Sequence, residues 1–243
     1  MNSLKNQVAV ITGASSGIGK SITLELAKHG VVLCLLGRNL NSLEAIAQIA
    51  KQSTSLVRCY RVDLTVDQDI ADFCGSILAE FKVIDILVHS GGVFSMGSLE
   101  SASVEDFDLQ FKVNVRGPYL LTQILLPLLK LRQGQVIFIN SRAVFLNARP
   151  GLGQYTATKQ ALKAIADSFR QEVNAEGIRV ISVYPGRTSS PMQQTVFKTE
   201  GKIYQPELLM QPADVASTII HALCLPRTAE VTDVTLKPLF EPL

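Results

Sequence analysis

Val8-Ala9-Val10-Ile11-Thr12-Gly13-Ala14-Ser15-Ser16-Gly17-Ile18-Gly19 is the stretch whose reading decides the fold. Val8 to Ile11 is an unbroken apolar run, the pattern of a parallel strand buried on both faces. Beyond Gly19 the apolar residues Ile22, Leu24, Leu26 and Ala27 open a helical pattern. A glycine-rich turn therefore joins strand to helix. Glycines at 13, 17 and 19 let the backbone turn tightly and approach a ligand, while the helix N-terminus offers free N–H groups and a positive dipole end to a pyrophosphate. Thr12, Ser15 and Ser16 add hydroxyls, and Ile18 sits at the first helical turn. An ordinary strand-to-helix turn needs neither three glycines nor three hydroxyls, although the spacing is not the common G-x-G-x-x-G fingerprint.

Outward from this turn, strand-like and helix-like segments alternate. Val31 to Leu36 reads as the second strand and ends at Gly37-Arg38-Asn39. A dinucleotide fold that prefers NAD places an acid there for the ribose hydroxyls. Arg38 offers instead a permanently charged planar fork suited to a 2′-phosphate, so NADP(H) is expected over NAD(H). A strand from Val57 to Val62 ends at Asp63-Leu64, a helical pattern covers Asp67 to Phe81, and a strand from Ile84 to Val88 ends at His89-Ser90-Gly91-Gly92. Such alternation predicts a doubly wound parallel sheet with ligand at its carboxyl edge, Asp63 and Leu64 near the adenine and Ser90 and Gly91 near the ribose. A long helical segment, Val104 to Lys130, carries Asn114 in its middle, where a core-facing amide must find partners.

A second stretch carries chemistry. Val136 to Ile139 reads as another buried strand, ending on Asn140-Ser141, and after the loop Arg142 to Gln154 comes Tyr155-Thr156-Ala157-Thr158-Lys159 with a helical pattern running on to Val173. Four residues apart, Tyr155 and Lys159 share a helix face. A tyrosine ordinarily titrates near ~10. A cation within a few ångströms draws it toward phenolate, so the pair is expected to make Tyr155 a general acid or base. Ser141, at the strand end, is placed to hydrogen-bond the same substrate oxygen.

The strand Ile178 to Tyr184 closes on Pro185-Gly186-Arg187-Thr188-Ser189-Ser190-Pro191-Met192, another ligand-facing edge loop. From there to Gln211 the chain is irregular and mixed, as a lid over substrate or as a plain surface loop. Pro212-Ala213-Asp214 starts a last helix ending near Cys224, and Val231 to Leu236 alternates as a final strand.

With 243 residues, 47% of them hydrophobic, the chain can bury a large core without a second domain. A net charge of +2 and the lack of any dense basic run argue against nucleic acid or a membrane surface as partner, leaving a small molecule. The cysteines Cys34, Cys59, Cys74 and Cys224 lie in apolar segments without metal spacing and read as free core thiols. His29, His89 and His221 are scattered, so no metal is expected. Met1 to Asn6 lacks a charged-then-apolar leader, and the longest apolar helix is interrupted by Gln123 and Pro127, so a cytoplasmic protein is expected.

Together these motifs resemble the short-chain dehydrogenase/reductase family from about Lys5 to Pro238. The resemblance implies a single-domain α/β fold of the Rossmann type: a doubly wound parallel sheet of about seven strands flanked by helices. Residues 1–243 then form one dinucleotide-binding catalytic domain with a short lid-like insertion at about 189–211. It also implies roles. Tyr155 exchanges the proton with the substrate oxygen, Ser141 orients that oxygen, Lys159 also holds the nicotinamide ribose, and Asn114 helps position a water that links Lys159 to solvent. Pro185-Gly186 is similar to the family's loop against the nicotinamide, with Thr188 matching a backbone contact and Ser190 a hydroxyl contact. The expected protein is an NADP-dependent oxidoreductase interconverting a secondary alcohol or hydroxy acid with its carbonyl, forming a homodimer or homotetramer. A nucleotide-sensing regulatory protein is the alternative. Two departures stand out: His89-Ser90-Gly91-Gly92 replaces the usual Asn-Asn-Ala-Gly, and the end at Glu230 to Pro238 lacks the glycine-rich tail of ketoacyl reductases. His89 reads as a substitute hydrogen-bonder that steadies the neighbouring strand, and Arg142, Arg149 and Arg187 read as carboxylate holders or as solvated surface charges.

Overall fold

A computed structural model describes residues 3–146 and 149–240. Seven strands form one sheet: β1 (Val8–Thr12), β2 (Val32–Gly37), β3 (Val57–Arg61), β4 (Ile86–His89), β5 (Gln135–Ile139), β6 (Arg179–Pro185) and β7 (Asp233–Leu236). Their order is β3-β2-β1-β4-β5-β6-β7, with every pairing parallel. The chain starts in the middle and reverses direction between β1 and β4, and at that switch point the carboxyl ends of neighbouring strands part to leave a crevice. Thr12↔His89 is the last register pair there, so the glycine turn and Ser90-Gly91 face each other across it.

Period-two alternation divides the core. Ala9 and Ile11 of β1 pack with Ile22 and Leu26 of α1 (Gly17–Lys28), with Leu43 and Ile46 of α2 (Leu40–Ala50) and, further along the same face, Ile219. Val8 and Val10 point the other way, among Ile70 and Phe73 of α3 (Asp67–Glu80) and the later helices. Each fully buried Leu, Ile or Phe contributes about 1.5–3 kcal/mol, which makes these two layers the main source of stability.

The expected helix from Val104 to Lys130 is interrupted. It forms as α4 (Val104–Phe111), a π turn (Lys112–Arg116) and α5 (Gly117–Lys130). Pro118 has no N–H to give the Asn114 carbonyl four residues back, and a Cβ at Gly117 would approach Leu64 Cβ at 3.0 Å. Sequence periodicity does not register a single wide turn. After β5, a short 3₁₀ turn (Arg142–Phe145) leads toward α6 (Gly153–Val173), which begins two residues before Tyr155.

The stretch 189–211 is more ordered than expected: it contains α7 (Pro191–Thr199), capped by Ser190, whose hydroxyl accepts from Gln193 N–H at 3.1 Å. A last helix, α8 (Pro212–Leu223), precedes β7. Cys34, Cys74 and Cys224 are buried as expected, whereas Cys59, on the sheet-edge strand β3, is half-buried. Among the described residues no group of His, Cys, Asp or Glu is arranged to hold a metal, and no helix is long and apolar enough to cross a membrane.

Candidate active site

A cavity of about 690 Å³ lies along the carboxyl edge of the sheet. At one end the glycine turn forms its floor. Gly13 has φ +66°, and a Cβ there would stand 2.8 Å from Gly91 Cα, so a side chain is excluded by both conformation and space. The Thr12 hydroxyl fixes the two loops by accepting N–H donors from Ser90 at 3.0 Å and Gly91 at 2.9 Å. Ser16 is the N-cap of α1 with no side-chain capping bond, and the first N–H groups of α1 open toward the cavity through Gly17 and Ile18. Ser15 also lines it. Gly19 does not: it sits one layer back, where a Cβ would collide with the Gly13 carbonyl at 2.3 Å, so its role is to let α1 pack against the turn.

Arg38, exposed at the end of β2, lines the same end with Asp63 and Leu64. Burial alone would raise the Asp63 carboxyl, but Thr65 donates to it from N–H at 2.9 Å and hydroxyl at 2.8 Å, and with the fields of Arg38 and Arg61 these hold it below its ordinary value. These hydrogen-bonding and spatial features fit a dinucleotide: a cradle too tight for any side chain, helix N–H groups, and a cation with no acid at the second strand end.

Ser141, Tyr155 and Lys159 meet at the centre of the cavity. Asn140 braces them from behind, its side-chain oxygen accepting Ser141 N–H at 2.8 Å and its NH₂ donating to the Lys159 carbonyl at 3.1 Å. Lys159 is buried; its ammonium donates to the Ile139 carbonyl at 3.1 Å and lies 5.8 Å from the Tyr155 ring centre. Burial pulls its pKa down to about 8. Half-buried Tyr155 differs from expectation. Burial raises its phenol above the ordinary value, and the group that counters this is the Ser141 side chain. The expected net lowering by Lys159 is thus reversed here, because desolvation of the phenolate outweighs the polar contacts.

Asn114 is not in the cavity wall but directly behind it. Its side chain accepts Val93 N–H at 2.9 Å and donates to the Val93 carbonyl at 2.9 Å and the Thr158 hydroxyl at 3.1 Å. It therefore ties the loop after β4 to α6 one residue before Lys159. Next to Val93, Phe94 packs edge-on against Tyr155 with ring centres 5.0 Å apart.

His89 is buried and neutral, held by burial at a pKa of about 3. Its Nε2 and the Thr122 hydroxyl are 2.7 Å apart, and its ring stacks on Phe138 of the neighbouring strand β5. Through these contacts it ties β4 to α5 and to β5.

Pro185, Gly186, Thr188 and Ser190 complete the wall on the far side. Thr188 pairs with Met210, and Ser190 N–H donates to the Tyr204 hydroxyl at 3.2 Å, so the chain around α7 is tied down at its base. Arg187 is not an open carboxylate holder: its Nη2 donates to both Glu200 oxygens at 2.8 and 2.7 Å. Phe94 and Gln193 also line the cavity and carry no local sequence motif, while Met192 and Glu200, which lie in the stretches read as an edge loop and a possible lid, line it as well.

A family model described as short chain dehydrogenase matches residues 7–201. The chain belongs to the short-chain dehydrogenase/reductase family. It is an oxidoreductase of that type. It is 34% identical to an uncharacterized oxidoreductase of Staphylococcus epidermidis over 98% of this chain and all of the relative. An alcohol dehydrogenase of Thermococcus sibiricus, solved with 5-hydroxy-NADP, superposes with a TM-score of 0.88 at 28% identity, covering 98% of this chain and 99% of that one. L-sorbose reductase of Gluconobacter frateurii, solved with NADPH and L-sorbose, gives 0.87 at 25% identity, with 98% of each chain covered. These neighbours point to a nicotinamide cofactor for this dehydrogenase/reductase.

Proposed function

We propose that this family member is an NADP(H)-dependent oxidoreductase that interconverts a secondary alcohol or hydroxy acid with the corresponding carbonyl compound. The observation that carries the reading is the convergence of Ser141, Tyr155 and Lys159 in the one cavity that also holds the glycine turn and Arg38. When bound, the nicotinamide supplies or accepts the hydride at the substrate carbon. Tyr155 gives or takes the proton at the substrate oxygen. Ser141, whose side chain acts on the Tyr155 phenol, holds that same oxygen and stabilises the charge building on it. Lys159 places a cation 5.8 Å from the Tyr155 ring centre and would hold the ribose hydroxyls of the bound cofactor. Asn114 keeps Val93 and Thr158 in register around these groups.

Arg38, with no acid beside it at the end of β2, supports NADP(H) over NAD(H), and the two neighbours solved with NADP-type cofactors agree with that choice. Exposed apolar side chains on α4 and α5, among them Val104 and Tyr119, support a homodimer or homotetramer. The test is a panel of ketones, aldehydes and keto acids screened for oxidation of NADPH and of NADH. Carbonyl-dependent oxidation of NADPH in preference to NADH is expected; binding of NADPH with no turnover on any carbonyl contradicts the reading.

A further inference from the structure

Arg187 follows directly on the Pro185-Gly186 loop, Glu200 ends α7, and both members of this ion pair line the cavity. We propose that this pair determines specificity, selecting an uncharged carbonyl or alcohol over one that carries a carboxylate. The inference rests on the oxidoreductase reading above and narrows its substrate class.

The Arg187 guanidinium is committed: besides binding both Glu200 oxygens through Nη2, it lies 4.7 Å from the centre of the Phe197 ring. Both partners are largely removed from water, with side chains 21% and 16% exposed, so a substrate carboxylate that recruited Arg187 would leave the Glu200 charge uncompensated in a poorly screened place. Arg187 Nη1 is enclosed without a hydrogen-bond partner, a donor that an uncharged carbonyl oxygen can satisfy without displacing Glu200 from Nη2. Glu200 also lines the cavity itself and repels a second carboxylate brought near it. The other cations of that end are Arg142, half-buried, and Arg149 and Lys202, both exposed where water and salt weaken their fields.

Removing one partner at a time gives opposite outcomes. Glu200→Gln keeps the size of the side chain and unmasks the Arg187 cation, whereas Arg187→Leu leaves Glu200 as an unpaired anion. The experiment measures NADPH oxidation with matched substrates, acetoacetate against ethyl acetoacetate and 4-oxopentanoate against its methyl ester, with each variant's melting temperature as a check of folding. The wild type is expected to favour the esters. Glu200→Gln should move the acid-to-ester ratio of kcat/KM toward the acid by roughly tenfold or more, mainly through KM, and Arg187→Leu should move it the other way. A merely structural pair would lower both substrates of a couple together. A wild type that favours the acids, or a ratio that stays put in a folded Glu200→Gln, overturns the inference alone. A wild type that reduces no carbonyl in this or the broader panel overturns the oxidoreductase reading and the inference with it.

Discussion

Lys159 donates its ammonium to the carbonyl of Ile139 at 3.1 Å, so a cation on α6 is pinned to the last residue of β5 inside the protein. That burial is costly, since the folded state holds the ammonium at a pKa of about 8 against an ordinary lysine value of 10.5. Below about pH 8 the lysine is charged in both states and the penalty is full; it fades as pH rises toward 10.5, where the unfolded chain also loses its proton. Lys159→Met should therefore abolish turnover while raising the melting temperature at pH 7, by the equivalent of about 1–3 kcal/mol. Thermal melts at pH 7 and pH 10 check this: the gain should shrink at the higher pH.

Arg38 stands at the end of β2, its charge reaching Asp63 at the same end of the cavity. Arg38→Asp should lower the NADPH-to-NADH ratio of kcat/KM by roughly 10- to 100-fold, through loss of a charge-assisted bond to the 2′-phosphate and repulsion in its place. Steady-state kinetics with both cofactors decides it, and an unchanged ratio removes Arg38 from that contact.

Gly13 combines φ +66° with a gap too small for a methyl group beside Gly91. Gly13→Ala should destabilise the fold by about 1–3 kcal/mol and weaken NADPH binding, since relief of the clash separates the two loops that Thr12 joins. Melting temperature and fluorescence titration with NADPH are the measurements.

Asn114→Ala should cost about 2 kcal/mol by leaving the Val93 N–H and carbonyl without their partner. Because Phe94 leans on Tyr155, KM for the carbonyl substrate should rise as well. Asn114→Asp restores the acceptor but not the donor, and should recover only part of the loss.

What was legible in the sequence is what local patterning encodes. The glycine turn, the strand ends at Arg38, Asp63 and Ser90, and the Tyr155–Lys159 spacing each depend on neighbours within a few residues, so periodicity alone placed them. What escaped depends on tertiary pairing. Glu200 meets Arg187 only because α7 folds back, a helix that its polar, proline-led sequence disguised as loop. His89 finds Thr122, 33 residues away, and the π turn at Asn114 follows from where Pro118 and Leu64 stand in space. The raised phenol of Tyr155 escapes for the same reason: a helix spacing shows that a lysine is near but not how much water is lost.

The most direct test is Tyr155→Phe, measured for NADPH binding by fluorescence and for turnover on a carbonyl that the wild type reduces. Removing the hydroxyl removes the proton donor while leaving the glycine turn, Arg38 and Lys159 in place. Binding of NADPH within a few-fold of wild type, with turnover lower by roughly 10³-fold or more, is the expected result. Turnover near the wild-type rate would contradict the role assigned to Tyr155 and with it the proposed mechanism.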